Sequence, residues 1–140
     1  MNNKSLIVVS GIIQKKDKYL LVKKKGKFHE GLWFFPGGIV EKNESIDSAL
    51  KREIKEEVNL DISGIKFIYS TVFKNKASDN YKTFPFVTIL LFKCETNGKE
   101  VETGDDADDF KWVRLEEMKD YKLRPGGLEV IQEMKKLGLI

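Results

Sequence analysis

Apolar positions along this chain alternate between two periods. Residues 6–13, Leu-Ile-Val-Val-Ser-Gly-Ile-Ile, form a short β-branched run that reads as a buried strand. Residues 14–18 are a polar turn, and 19–24, Tyr-Leu-Leu-Val-Lys-Lys, read as a second strand paired back on the first. A loop over 25–33 carries Gly26 and Gly31 and closes on Phe34-Phe35-Pro36-Gly37-Gly38. Ser45 is placed to cap a helix over 46–58, and Asn59 stands where a left-handed residue would end it. Strands are expected over 65–73 and 83–93, with a polar loop over 74–82 between them. An acidic loop, 95–109, leads to a short strand over 110–114 and one helical turn over 115–118. The last element is a helix over 126–137 with Leu128, Ile131, Met134 and Leu137 on one face. The order β-β-α-β-β-β-α predicts one domain over residues 1–140, a mixed sheet with helices packed on it, α/β or α+β.

The helix over 46–58 departs from an ordinary amphipathic pattern. At about 100° per residue, Ile46, Ala49, Leu50, Ile54 and Val58 share one arc. Glu53 and Glu57 fall inside that arc, within about 20° of Ile46, and Glu56 lies at its edge. Residues three and four apart adjoin on a helix, so these carboxylates form one cluster. They sit in the last turns, where the helix dipole already disfavours negative charge. A solvated helix whose acids pair with lysines is the plain alternative, but Lys51 and Lys55 point away and only Arg52 reaches Glu56 along the helix. Carboxylates partly buried together with so little cationic company must hold protons or hold a metal; we read a metal.

Composition narrows which metal. Cys94 is the only cysteine and His29 the only histidine, which excludes a disulfide within the chain and a Cys/His zinc site. Oxygen ligands point to magnesium, manganese or calcium. Pro36-Gly37-Gly38 lets the backbone approach a cation or phosphate and offers a carbonyl ligand, although no Gly-Lys-Ser/Thr follows to make a P-loop. Twenty-five Lys+Arg against 22 Asp+Glu leave a net charge of +3, too balanced to argue for a nucleic-acid or membrane partner. No charge-free run, 5–14 and 83–92 included, is longer than ten residues, too short to span a bilayer. Met1-Asn2-Asn3-Lys4 lacks a signal-peptide layout, so a cytoplasmic protein is expected.

The stretch from Gly38 to Leu60 resembles the signature of the Nudix hydrolases, G-x(5)-E-x(7)-R-E-U-x-E-E-x-G-U with U aliphatic. Gly38, Glu44, Arg52, Glu53, Ile54, Glu56, Glu57 and Leu60 match in register, and Asn59 replaces the last Gly. Asn tolerates positive φ, so the turn should survive. Leu32-Trp33-Phe34-Phe35-Pro36 upstream and Gly104-Asp105-Asp106-Ala107 downstream are similar to family members in weaker form. The resemblance implies an α/β/α sandwich and an Mg²⁺-dependent hydrolase, with Mn²⁺ a substitute, that cleaves the pyrophosphate of a nucleoside diphosphate linked to a further group. By the same resemblance Glu53, Glu56 and Glu57 are the catalytic and metal carboxylates, and the Gly38 carbonyl a further ligand. Glu53 is by analogy the base toward water, although family members differ in which acid serves. Glu44 and Arg52 support the loop and helix through an ion pair. Many members add an acid from a late loop, for which Asp106 is the first choice and Asp105 the next.

Charge is segregated, with seven lysines and one acid in residues 15–27 and seven acids and one lysine in 95–109. Lys23, or Lys24 beside it, is placed to meet substrate phosphates, and Trp33, Tyr81 and Phe84 are candidates to stack on a base. ADP-ribose and a nucleoside triphosphate such as oxidised dGTP are the two substrate expectations, and many relatives are homodimers. A catalytically silent nucleotide-binding or regulatory domain is the alternative; its usual mark, loss of a signature glutamate, is missing here. A basic nucleic-acid module would need more than the net charge of +3.

Overall fold

The computed structural model describes residues 4–26, 29–75 and 84–140. In chain order the elements are β1 (Ser5–Lys15), β2 (Lys18–Lys24), β3 (Trp33–Phe34), β4 (Gly37–Ile39), α1 (Ile46–Val58), β5 (Ile62–Lys74), β6 (Phe86–Thr96), β7 (Ala107–Val113), a 3₁₀ turn (Leu115–Asp120) and α2 (Gly127–Lys136). β1 and β2 form the expected hairpin, but they pair only beside its turn, at Gln14–Tyr19 and Lys15–Lys18. Beyond that point each takes other partners. β1 runs parallel to β6 and antiparallel to β4, and β6 carries β5 on its far side. β2 pairs antiparallel with β3 and β7. The parting of β1 from β2 opens the sheet where β4 and the start of β7 lie.

Side-chain alternation sorts the core into two layers. Val9, Ile13, Leu20, Val22, Phe92 and Cys94 pack with Ala49, Leu50, Ile54 and Val58 of α1. Leu6, Val8, Ile12, Leu21, Ile89 and Leu91 point to the other face and pack with Val130, Ile131 and Met134 of α2. The result is an α/β/α sandwich around a mixed sheet. α1 lies close to the sheet over Gly11, where a Cβ would stand 2.6 Å from Ile54 Cδ1.

α1 begins and ends where its sequence signals fall. Ser45 Oγ accepts from Ser48 N at 3.1 Å, satisfying one of the free amides of the first turn. Asn59 closes the helix at φ 56°, its N–H donating to Lys55 O at 3.0 Å. Asn59→Gly is therefore expected to leave stability within about 0.5 kcal/mol of wild type, whereas Asn59→Val should cost roughly 1–2 kcal/mol; urea unfolding of the two variants checks this.

Other boundaries move. The acidic loop is shorter than expected, because Ala107 is buried and β7 begins there rather than at Phe110. The core stripe of α2 is Gly127, Val130, Ile131 and Met134. Leu137, expected on that face, is 55% exposed, because the helix ends at Lys136 and Gly138 turns the chain at φ 72°. Leu128 is half-buried. No helix among the described residues is long and apolar enough to cross a membrane.

Candidate active site

α1 delivers its acids to the gap between β1 and β2. Glu57 is 1% exposed, Glu53 half-buried and Glu56 exposed. The difference follows from helical geometry: Glu53 and Glu57 lie one turn apart on the inner arc, and Glu56 is rotated toward solvent. Glu57 Oε1 accepts from Gly37 N at 2.6 Å, and Glu57 Oε2 from Lys24 Nζ at 2.6 Å. The same ammonium donates to Gly37 O at 2.5 Å. Gly38 lies against the Glu53 carboxylate so closely that a Cβ there would overlap it. Gly37 is equally constrained on its other side, where a Cβ would overlap the Val9 carbonyl of β1.

The cationic company that the sequence reading found lacking is present, and it corrects that premise. Lys24 reaches Glu57 from another strand. Arg52 grips Glu44 in a fork, Nε to Oε2 at 2.6 Å and Nη2 to Oε1 at 2.9 Å, and donates to Ile39 O at 3.2 Å. Its Nη1 also donates to Glu53 at 2.8 Å and to Glu56 at 3.3 Å. Glu44 in turn accepts from Glu41 N at 3.0 Å, so the ion pair ties the loop before α1 to the helix. The guanidinium holds Glu44 down to about 2 and is itself raised by Glu44. Glu53 and Glu57 are both pushed above the usual carboxylate range, burial outweighing the opposing pull of Arg52 on the first and Lys24 on the second.

A cavity of about 380 Å³ lies over these groups. Glu53, Glu57, Gly37, Gly38 and Asp106 line it together with the basic side chains of Lys24, Lys25, His29 and Arg124. Of the late-loop acids Asp106 lines it and Asp105 does not. The loop before β7 is fixed to α1 by its backbone: Glu102 N donates to Val58 O at 3.2 Å and Gly104 N to Glu57 O at 2.9 Å. These bonds satisfy carbonyls that the helix end leaves open. A Cβ on Gly104 would overlap Glu56 O, which explains a glycine there.

Other sequence candidates sit elsewhere. Lys23 does not line the cavity; Lys24 does, because Leu20, Val22 and Lys24 share the α1 face of β2 while Lys23 shares the other face with Leu21. Trp33 packs edge-on against Tyr121, centroids 5.2 Å apart, and Phe84 packs against the α2-side core; neither lines the cavity. Tyr81 lies outside the described residues. Gly38, expected to offer its carbonyl to a metal, lines the cavity beside Gly37, whose carbonyl accepts from Lys24 Nζ.

Arg124 and His29 are among the cavity residues that the sequence did not single out for the site. Arg124, 6% exposed, lies with its guanidinium carbon 5.3 Å from the Phe34 ring centroid, and burial lowers it to about 10. Its backbone N–H donates to Trp33 O at 3.1 Å. His29 is lowered to about 4, by burial first and then by the charges of Arg124 and Lys24, so its imidazole is neutral at pH 7. Their signals in the sequence are faint: a lone histidine between loop glycines, and an arginine before Pro125-Gly126-Gly127.

The donors suit a hard cation. All are oxygens, and the Lys24 ammonium already stands as a positive charge between Glu57 Oε2 and Gly37 O. Among the described residues no three acidic, histidine or cysteine side chains converge as a ready-made metal cluster. Lys24 holds Glu57, and Arg52 holds Glu53 and Glu56, carboxylates that a divalent ion would need.

Comparison with known proteins agrees with this layout. The NUDIX domain profile matches residues 4–134. Nucleoside triphosphatase NudI of Klebsiella pneumoniae (strain 342) is 34% identical over 128 residues, 83% of this chain and 86% of that protein. The 8-oxo-dGTP diphosphatase of Buchnera aphidicola subsp. Schizaphis graminum is 32% identical over 131 residues, 93% of each chain. The ADP-ribose pyrophosphatase of Methanocaldococcus jannaschii is 32% identical over 111 residues, 78% of this chain and 62% of that protein. The crystal structure of the MutT protein from Methanosarcina mazei Go1 superposes with a TM-score of 0.80 at 19% identity, covering 99% and 98% of the two chains, a likeness of fold.

Proposed function

The chain belongs to the NUDIX domain family, and from that premise we propose that it is a Mg²⁺- or Mn²⁺-dependent hydrolase of the pyrophosphate bond in nucleoside triphosphates. The carrying observation is one cavity lined by half-buried Glu53 and buried Glu57 together with Lys24, Lys25 and Arg124. Acids there suit a cation, and bases suit the phosphate chain that must lie beside it. A triphosphate is favoured because the triphosphatase and the 8-oxo-dGTP diphosphatase align over most of both chains, whereas the ADP-ribose enzyme is matched over 62% of its length. ADP-ribose stays the second substrate on the strength of that relative.

Glu53, Glu56, Glu57, Asp106 and the Gly37–Gly38 backbone would hold the cation. When bound, the ion supplies positive charge to the phosphate oxygens and acidifies water near them. Glu53, whose burial raises its proton affinity, takes a proton from the attacking water. A new O–P bond forms as the anhydride P–O bond breaks, and the leaving phosphate departs with that electron pair. Lys25 and Arg124 neutralise the chain, and neutral His29 lines the same cavity. Glu44 and Arg52 hold the helix against its loop without touching substrate.

The test is a panel of canonical and oxidised dNTPs, ribonucleoside triphosphates, ADP-ribose, dinucleoside polyphosphates and NADH with Mg²⁺ or Mn²⁺, scored for released products. Turnover confined to triphosphates supports the proposal; turnover of ADP-ribose alone moves it to the second substrate, and none at all favours a silent domain. Chelation by EDTA should abolish hydrolysis and added Mg²⁺ restore it. Cation binding should also raise Tm, and more so at pH 8 than at pH 5. Glu53 and Glu57 titrate above the unfolded carboxylate value, so their burial as anions weakens the cation-free fold as pH rises. A bound cation offsets that cost, and protons displace it as pH falls. Differential scanning fluorimetry at the two pH values reads the difference.

A further inference from the structure

Lys24 occupies a cradle of two oxygens, one of them from the deepest carboxylate of the site. Its Nζ lies 2.6 Å from Glu57 Oε2 and 2.5 Å from Gly37 O, and only 17% of the side chain is exposed. The cradle is rigid from the other side too, because Gly37 N donates to Glu57 Oε1 at 2.6 Å and fixes the carboxylate. The ammonium is carried on the end of β2, next to the register shift where Lys23 pairs Asp109 and Lys24 pairs Ala107. A flexible four-carbon stem on a strand end can swing away, whereas the carboxylate it holds cannot.

We propose that Lys24 is a tethered cation that competes with the divalent ion for Glu57 and the Gly37 carbonyl, so that loading the ion drives the ammonium off its cradle into the substrate cavity. The inference rests on the reading of this site as a cation site. A lysine and a divalent ion cannot share one carboxylate oxygen and one carbonyl, since their mutual repulsion in a half-closed cavity is large. While the ammonium is seated, it occupies the deepest carboxylate of the site, Glu57. Lys24 already lines the cavity while seated, so a released ammonium stays within reach of it. There its charge is available to a phosphate oxygen, and the empty enzyme keeps Glu57 neutralised until cation arrives.

Mn²⁺ titration followed by electron paramagnetic resonance tests this without turnover. If the ammonium holds Glu57 nine-tenths of the time, Lys24→Met should tighten Mn²⁺ binding roughly tenfold. Lys25→Met removes the same charge from the same cavity wall and should tighten it only about two- to threefold through the screened field. Equal effects in the two variants, or weaker binding in Lys24→Met, would overturn the proposal. Wild type carrying ¹³C,¹⁵N-lysine gives an independent reading should Lys24→Met fail to fold. The Lys24 Nζ resonance should move on adding diamagnetic Mg²⁺, and a stationary signal at saturation would overturn the proposal as well. Wild type that binds no Mn²⁺ would instead remove the cation site itself, a separate outcome from a site that binds Mn²⁺ with Lys24 still seated.

Discussion

Glu57→Gln is expected to lower kcat about a thousandfold, roughly 4 kcal/mol of transition-state stabilisation, while leaving the far-UV spectrum unchanged. Glutamine has the shape of the side chain it replaces and can still accept from Gly37 N through its amide oxygen. Its amide nitrogen then faces the Lys24 ammonium, donor against donor, where the carboxylate made a 2.6 Å bond. The site loses a negative charge at its deepest point, and with it the electrostatic reason for a divalent cation to enter. Burial disfavours the ionised carboxylate, which offsets part of the loss of the pair with Lys24, so Tm without metal should fall modestly rather than collapse. Steady-state kinetics with a saturating triphosphate, alongside thermal melts with and without Mg²⁺, separate these effects. Wild-type turnover would take Glu57 out of the cation site; lost turnover with a collapsed Tm would reduce its role to folding.

What the sequence made legible follows local physics. α1 spans Ile46–Val58 as its periodicity and caps foretold, and the inward placement of Glu53 and Glu57 was readable from 3.6 residues per turn. The choice between Lys23 and Lys24 was not. Alternation says that the two point to opposite faces, but which face meets α1 is set by pairing that spans the whole chain. β2 lies against β7, some ninety residues later, and Leu20 and Val22 happen to take the α1 side. The same limit hid Arg124, whose place comes from a backbone bond to Trp33 and from stacking on Phe34. Contacts of such separation leave no period in the chain. The supposed shortage of positive charge around the acids failed for this reason: counting neighbours along one helix cannot count a lysine arriving from a strand.

Gly37 and Gly38 should part company when each is changed to Ala, and the contrast separates folding from chemistry. At Gly37 the new Cβ would meet backbone, the Val9 carbonyl of β1, which is fixed by the β1–β4 and β1–β6 ladders. Neither partner can yield without breaking strand pairing, so Gly37→Ala should cost at least ~2 kcal/mol in urea unfolding and lose activity as a consequence. At Gly38 the new Cβ would meet a side chain end, the Glu53 carboxylate. That group can rotate away, at the expense of its bond to Arg52 Nη1 at 2.8 Å, so the fold should lose little. The carboxylate, however, would be displaced by about an ångström from the place where it faces Glu57 and the cavity, and a shift of that size in a positioned group costs roughly 100-fold in rate. Gly38→Ala is thus expected to keep near-wild-type unfolding, lose about two orders of magnitude in kcat, and bind Mn²⁺ more weakly. Gly38→Ala with wild-type kcat would show that Glu53 does its work from another position, and the base would have to be sought among Glu56, Glu57 and Asp106. The glycine pair would then serve packing against β1 alone, with Gly37 as its indispensable member.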